Sequence, residues 1–227
     1  MKHWLAGRVA VVTGASQGIG AAAAEAVAAR GAHVVLAARN AEALGAVAGH
    51  IRRAGGQATA VPTDVSQALD VERLFAACAA AVLIKAPFAE TSLGTWQRTL
   101  GVNLTGAFLC CREAFTAMRS AGGGRIVNIA SLSGVYATEK FPGLAAYNIS
   151  KYGVIGLTEA VAVEGKAHGI SAICVSPGAV DTPMLRAANP DLRPGLTPAD
   201  VAELIVALLD SPLAPASGAN IPLFSNE

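Results

Sequence analysis

Residues 8–38, RVAVVTGASQGIGAAAAEAVAARGAHVVLAA, constrain the fold more than any other stretch of the chain. RVAVVT (8–13) is a continuous apolar run closed by glycine, the pattern of a strand buried on both faces. GAAAAEAVAAR (20–30) is alanine-rich and helical, and it stops at Gly31, the residue type that best accepts the left-handed conformation after a helix. HVVLAA (33–38) is a second buried strand. Buried strands joined by a helix lie parallel, because parallel neighbours need a crossover, and the crossover covers one face of the sheet.

The alternation continues along the chain. The pattern predicts a helix over 41–54, a strand over 57–64 and a helix over 68–81. Beyond it follow a long helical stretch over roughly 93–120, a strand over 125–131, a helix from about 145 to 168 and a strand over 171–176. A last helix is expected over 197–210, capped by Thr197 with Pro198 in its first position. The expected fold is a doubly wound, mostly parallel α/β sheet of Rossmann-like type, one domain over residues 1–227. In one place the alternation fails. The helix through Ala81 runs straight into VLIKAPFAETS, where a fourth strand is required. A turn and a strand of about five residues do not fit between Ala81 and Lys85. Either Val82-Leu83-Ile84 is a stunted strand or a stretch is absent from the sequence; absence is the expectation.

Composition sets the function classes aside that the fold leaves open. A net charge of +1 gives no reason for a nucleic-acid partner or an anionic membrane surface. No apolar run approaches the ~20 residues of a membrane span. The N-terminus enters a strand almost at once, without a signal-peptide layout, so a soluble cytoplasmic protein is expected. Cys78, Cys110, Cys111 and Cys174 sit in apolar segments without C-x-x-C spacing and read as reduced core thiols, with no metal site expected.

The loop TGASQGIG (13–20) supports two chemistries. Gly14-Ala15-Ser16-Gln17-Gly18 spells G-x-S-x-G, the nucleophile elbow of an α/β-hydrolase, and a triad would then need something like Ser16, Asp64 and His168. Nothing marks His168 as a base, since KAHGIS reads as a helix end capped by Gly169. The alternative reading is a nucleotide-binding loop. It leaves a strand and opens a helix whose free N–H groups suit a pyrophosphate. Gly14 permits the tight turn, and Gly18 and Gly20 permit close approach of ligand and strand, with Ser16, Gln17 and Ile19 between them. Nineteen residues beyond Gly20 an NAD site would carry a carboxylate; here Arg39 offers a guanidinium, which matches a 2′-phosphate and hence NADP(H).

In AAYNISKYG, Tyr147 and Lys151 are four apart on an expected helix and share one face. A phenol titrates near 10 and is a poor base at neutral pH. A lysine charge about 4 Å away favours phenolate by roughly 4 kcal/mol at an effective dielectric of 20, against about 1 in water. The pair is useful only in a shielded cleft.

With these pieces in hand the chain resembles the classical short-chain dehydrogenase/reductase family over nearly its whole length. The matches fall in family order: TGASQGIG, Asp64-Val65, VNLTG with Asn103, IVNIAS ending in Ser131, YNISK, and SPGAVDTPM with Pro177, Gly178, Val180 and Thr182. The resemblance implies Asn103, Ser131, Tyr147 and Lys151 as the catalytic set. Ser131 would hold the substrate oxygen and Tyr147 would give or take its proton. Lys151 would bind the nicotinamide ribose and depress the Tyr147 pKa, and Asn103 would fix a water that returns protons. Asp64, beside Val65, is expected at the adenine amino group, or else as a helix cap. Val180 and Thr182 are expected near the nicotinamide amide. Ser133 is a rival to Ser131 with a bland role as a turn residue. The expected function is NADP(H)-dependent hydride transfer to or from a ketone or secondary alcohol, of 3-oxoacyl type or another small carbonyl compound. The alternative is a cofactor-binding protein with little activity. The family's NNAG segment is missing where the alternation fails, and the chain from Asp64 to Asn103 is roughly a dozen residues short by family expectation. A homo-oligomer, tetramer or dimer, is expected from apolar residues on two helices: Leu104, Ala107, Phe108, Cys111 and Phe115 on one, Val154, Leu157 and Val161 on the other.

Overall fold

A computed structural model of the protein describes residues 3–74, 83–210 and 216–225. β1 (Val9–Thr13) is followed by α1 (Gly18–Ala28), β2 (His33–Ala38), α2 (Ala41–Arg53), β3 (Gln57–Pro62) and α3 (Ala68–Leu74). After Leu83–Pro87, which form no strand, come α4 (Leu93–Leu100), α5 (Gly106–Ser120) and β4 (Gly124–Ile129). The remainder is α6 (Ala145–Gly165), β5 (Ile170–Pro177), α7 (Pro183–Ala188), α8 (Pro198–Asp210) and β6 (Asn220–Leu223). The fold is a Rossmann-like α/β fold built on parallel strands, as the alternation requires.

Among the described residues all hydrogen-bonded strand pairs are parallel, and they form two three-stranded sheets, β1-β2-β3 and β4-β5-β6. Among the described residues the sheet is split between β1 and β4, the place where the alternation fails and a fourth strand is required. The stunted strand considered at residues 82–84 falls partly outside the described residues; Leu83 and Ile84 are in no strand.

Helices hold the halves together. On one face α1 packs against α8, and Ala23, Ile205 and Val201 share a core with Val12 of one sheet and Val127 and Ile129 of the other. On the opposite face α5 serves both: Leu109 and Cys110 pack with Val11, Val35 and Val61, while Cys111 and Ala114 pack with Ile126 and Ala172. Local signals behave as read. Gly31 and Gly169 adopt positive φ of 97° and 67° after their helices, and Thr197 Oγ1 accepts from the Asp200 amide at 3.2 Å to open α8. Cys110, Cys111 and Cys174 are buried free thiols, and Cys78 lies outside the described residues. Most of the apolar residues expected at a subunit contact face inward, Cys111 and Val154 fully so. Phe108, Ile149, Tyr152 and Val163 are the large apolar side chains these helices leave exposed. Among the described residues no helix is long and apolar enough to cross a membrane, and no group of metal-ligating side chains clusters.

Candidate active site

The glycines of the loop after β1 make a cradle that side chains would fill. Gly14 and Gly18 sit at φ of 64° and 58°, the left-handed region that only glycine enters cheaply. A Cβ on Gly20 would stand 2.4 Å from the Gly14 carbonyl oxygen, and one on Gly18 would stand 3.2 Å from Thr182 Cγ2. Gln17 precedes α1 in extended conformation and gives its first amides no side-chain cap, and no acid stands in the first turn. The N-terminus of this helix, 11 residues long, therefore presents donors and a positive dipole end. Gly14, Ser16, Gln17, Gly18, Ile19, Gly20, Arg39, Asn103, Tyr147, Lys151 and Thr182 line one continuous cavity of about 2480 Å³.

The remaining expected cofactor residues stand behind that lining. Asp64 Oδ1 accepts from the Ser66 amide at 2.9 Å and the Ser66 hydroxyl at 2.8 Å. Burial pushes the Asp64 carboxyl up, but those two bonds and the nearby Arg39 charge outweigh it and hold it below the usual range. Val65 is buried, and a Cβ on Gly106 would come within 3.0 Å of it, so α5 starts tight against the β3 exit. Pro177 ends β5. Gly178 donates its amide to Leu223 O at 2.9 Å. Val180 is buried in the cluster that also holds Ile19, and Thr182 caps α7 by accepting from Leu185 N at 3.2 Å.

Three close packings assemble the expected catalytic residues. Ser131, just past β4, opens the one-turn helix Leu132–Gly134, with its Oγ accepting from Ser133 N at 3.2 Å. A Cβ on Gly134 would lie 2.4 Å from the Lys151 carbonyl carbon, so glycine lets this turn rest directly on α6. There Tyr147 is buried, with Ser131 near enough to its hydroxyl to favour the phenolate. Ser133 contributes its amide to the turn, the bland role expected of it. Asn103 stands in a π-helical turn, Gly101–Thr105, inserted between α4 and α5; such single-turn bulges reorient a side chain within a helix and recur at functional sites. A Cβ on Gly153 would meet Leu104 Cδ2 at 2.6 Å, which explains how closely α6 approaches that turn. Asn103 Nδ2 donates to Ser150 Oγ at 3.1 Å, and Ser150 in turn donates to the Tyr147 carbonyl at 2.7 Å.

Lys151 is buried, with Nζ 5.7 Å from the Tyr147 ring centroid, and it donates to the Ile129 carbonyl at 2.9 Å. Burial draws its pKa down to about 8. Burial also pushes the Tyr147 phenol above its ordinary value, offset only in part by Ser131. The lysine was expected to depress that phenol. The cost of burying phenolate dominates instead, with the ammonium turned toward a backbone carbonyl. Sequence reasoning missed Ser150 and the Ile129 carbonyl. Ser150 lies three residues after Tyr147 and was findable by helical spacing; a backbone carbonyl leaves no side-chain signal.

The hydrolase triad does not assemble. Gly18, just after Ser16, meets Thr182 beyond the C-terminal end of β5, whereas His168 precedes the N-terminal end of β5 and stacks edge-on against Phe115 at 5.7 Å.

Comparison with known proteins agrees with this geometry. The short chain dehydrogenase family model matches residues 8–193. A cis-4-hydroxycyclohexanecarboxylate dehydrogenase from Sinomonas cyclohexanicum is 39% identical over 206 residues, covering 85% of this chain and 81% of its own. A 3-oxoacyl-[acyl-carrier-protein] reductase from Synechocystis is 36% identical over 198 residues, covering 82% of this chain and 79% of its own. A crystal structure from Beutenbergia cavernae, provisionally described as an NAD(P)-dependent gluconate 5-dehydrogenase with NADP bound at low occupancy, is 34% identical. It superposes with a TM-score of 0.89, covering 99% of this chain and 98% of its own. Both sequence alignments run about a dozen positions longer than the part of this chain they cover.

Proposed function

The chain belongs to the short-chain dehydrogenase/reductase family of oxidoreductases, which act on alcohols and ketones with a nicotinamide cofactor, and on that premise we propose that it is an NADP(H)-dependent enzyme of a small ketone or secondary alcohol. The observation that carries this reading is that Tyr147 and Lys151, one turn apart on α6, line the same cavity as the glycine cradle and Asn103.

The residues present fit a dinucleotide. The uncapped α1 amides and the Gly14–Gly20 cradle would receive its pyrophosphate. Arg39, at the end of β2, would pair with a 2′-phosphate, and Asp64 and Val65 would border the adenine. Pro177, Gly178, Val180 and Thr182 would border the nicotinamide. Bound there, the cofactor supplies or accepts a hydride. Ser131 Oγ would orient the substrate oxygen. Tyr147 would protonate a ketone oxygen as it becomes an alkoxide, or deprotonate an alcohol in the reverse direction. Its raised pKa keeps it protonated, which suits the reducing direction. Lys151 would hold the ribose and Asn103 would connect the site to solvent. The substrates for which the relatives are named, a hydroxylated ring carboxylate and a 3-oxoacyl carrier-protein conjugate, support a carbonyl on a small or acyl framework. A soluble cytoplasmic homo-oligomer is part of this reading.

A screen of 3-oxoacyl, cyclic-ketone and sugar-acid carbonyl compounds, read by NADPH oxidation, tests it. Turnover of at least one class with NADPH is expected. A second reading, cofactor binding with little turnover, is favoured by the Lys151–Ile129 bond and the split sheet. NADPH binding by calorimetry with no turnover across the screen would select it.

A further inference from the structure

The turn that begins at Ser131 is held at both ends, and its far end is held from outside. At its start Ser131 Oγ accepts from Ser133 N. The amides of Gly134 and Val135 then close it on Ser131 O at 2.9 Å and Leu132 O at 3.0 Å. A helix end leaves carbonyls in need of donors. Here the chain supplies donors to Leu132 O and Val135 O by doubling back on itself. Ala137 makes the bend at φ 58°, the one non-glycine residue with positive φ among the described residues. Such a conformation persists only where its surroundings hold it.

Beyond the bend, Thr138 and Lys140 reach the turn together. Thr138 Oγ1 lies 2.6 Å from Leu132 O and 3.0 Å from Val135 O. A hydroxyl has one proton to give, so the shorter contact, to Leu132 O, takes it. Lys140 Nζ donates to Val135 O at 2.7 Å and to the Thr138 hydroxyl oxygen at 2.5 Å, with a longer approach of 3.4 Å to Leu132 O. One ammonium thus holds both carbonyls, Val135 O directly and Leu132 O chiefly through Thr138, as basic side chains do at helix ends. The same group is tied to α6. Nζ stands 5.5 Å from the Tyr152 ring centroid, within cation–π range, and the Tyr152 hydroxyl donates to Val135 O at 3.2 Å. Tyr152 directly follows Lys151, on whose carbonyl carbon Gly134 rests. The Ser131 turn is therefore fixed to α6 at two points, and Lys140 joins one of them to the turn's open end.

We propose that Lys140 is a positioning residue, which fixes the Leu132–Gly134 turn, and with it the Ser131 hydroxyl, without touching the substrate. The rival role for an exposed lysine beside this turn is an electrostatic contact to an anionic substrate. Against that role, all three acceptors of the ammonium lie within its own loop. The kinetic consequence rests on the catalytic reading of Ser131; the ordering of the turn does not.

Hydrogen exchange at the Gly134 and Val135 amides, read by NMR, tests the ordering, since these two bonds close the turn. Lys140→Met should speed both about tenfold and leave the amides of β1, β2 and β3 unchanged. Thr138→Val should act in the same direction. The double variant should exceed the larger single effect by less than about twofold, because both side chains serve the same carbonyls. With NADPH and a carbonyl substrate that the enzyme turns over, Lys140→Met should lower kcat about tenfold, with the KM for NADPH within about twofold of wild type. Neutral and carboxylate-bearing substrates should lose kcat alike. A loss confined to carboxylate-bearing substrates and carried by KM would make Lys140 a substrate contact and overturn the proposal. Unchanged exchange at Gly134 and Val135 would overturn it too, as would faster exchange with full kcat. An enzyme with no turnover on any substrate would count against the catalytic reading of Ser131, and exchange would still decide whether Lys140 fixes the turn.

Discussion

Lys151 donates its ammonium proton to the Ile129 carbonyl at 2.9 Å, on the strand edge that faces the split in the sheet. Burial lowers its pKa to about 8, while an unfolded lysine holds its proton to about 10.4. Between those values the unfolded chain binds the extra proton, so stability rises with pH. Below pH 8 both states are charged and the burial cost is carried in full. From pH 8 to 9.5 the wild type should gain about 1.6 kcal/mol relative to Lys151→Met in urea unfolding. Comparison with the variant cancels Cys111, whose thiol burial raises to about 11 and which acts in the opposite sense above pH 9. Parallel profiles for the two proteins would refute the assignment.

Tyr147→Phe keeps the ring and removes the proton. Turnover should fall more than tenfold, a loss above about 1.4 kcal/mol, with NADPH affinity close to wild type. Residual turnover above a tenth would mean that Tyr147 is not the acid.

Arg39→Asp exchanges a partner of the 2′-phosphate for a carboxylate suited to a bare ribose. The ratio of kcat/KM for NADPH to that for NADH should fall by about 100-fold, the worth of one or two charged hydrogen bonds. An unchanged ratio would show that Arg39 does not meet the cofactor.

Gly134→Ala would drive a methyl to 2.4 Å from the Lys151 carbonyl carbon. A cost of about 1–3 kcal/mol is expected, with turnover lost as Ser131 moves off Tyr147. Gly45→Ala is the control. A Cβ there meets nothing within 4 Å, inside α2, and should stabilise by up to about 1 kcal/mol. Urea midpoints measure both, and equal shifts would remove the steric argument.

Phe108, Ile149 and Val163 remain exposed on α5 and α6, at 47%, 47% and 76%. If they pair two-fold with a second copy, light scattering at micromolar concentration gives a dimer or tetramer, and Phe108→Lys with Val163→Lys lowers the mass. A monomer in the wild type would dismiss the contact.

Much of this was legible because the signals are local. Buried parallel strands read as continuous apolar runs, and RVAVVT and HVVLAA fall within a residue of β1 and β2. Gly31, Gly169 and Thr197 announce helix ends by their own chemistry. The failure of alternation after residue 81 signalled the interrupted sheet. Less was legible where backbone or distant chain decides. β6 is a four-residue edge strand, NIPL, too short and too proline-marked to carry a period. The π-helical turn at Asn103 has no periodic signature, and the partner of Lys151 is a carbonyl that any residue could supply. The inward turn of Cys111 and Val154 followed from packing against β4 and β5, which a helical stripe alone does not resolve.

The split sheet also bears on how the molecule comes apart. A continuous ladder couples its strands so that none opens alone; among the described residues the coupling between halves runs chiefly through the packing of α1, α8 and α5. The β1–β3 and β4–β6 units then behave as separate foldons, each protecting its own amides. Exchange would proceed at two free energies, and a denaturant titration followed by two probes would show non-coincident transitions.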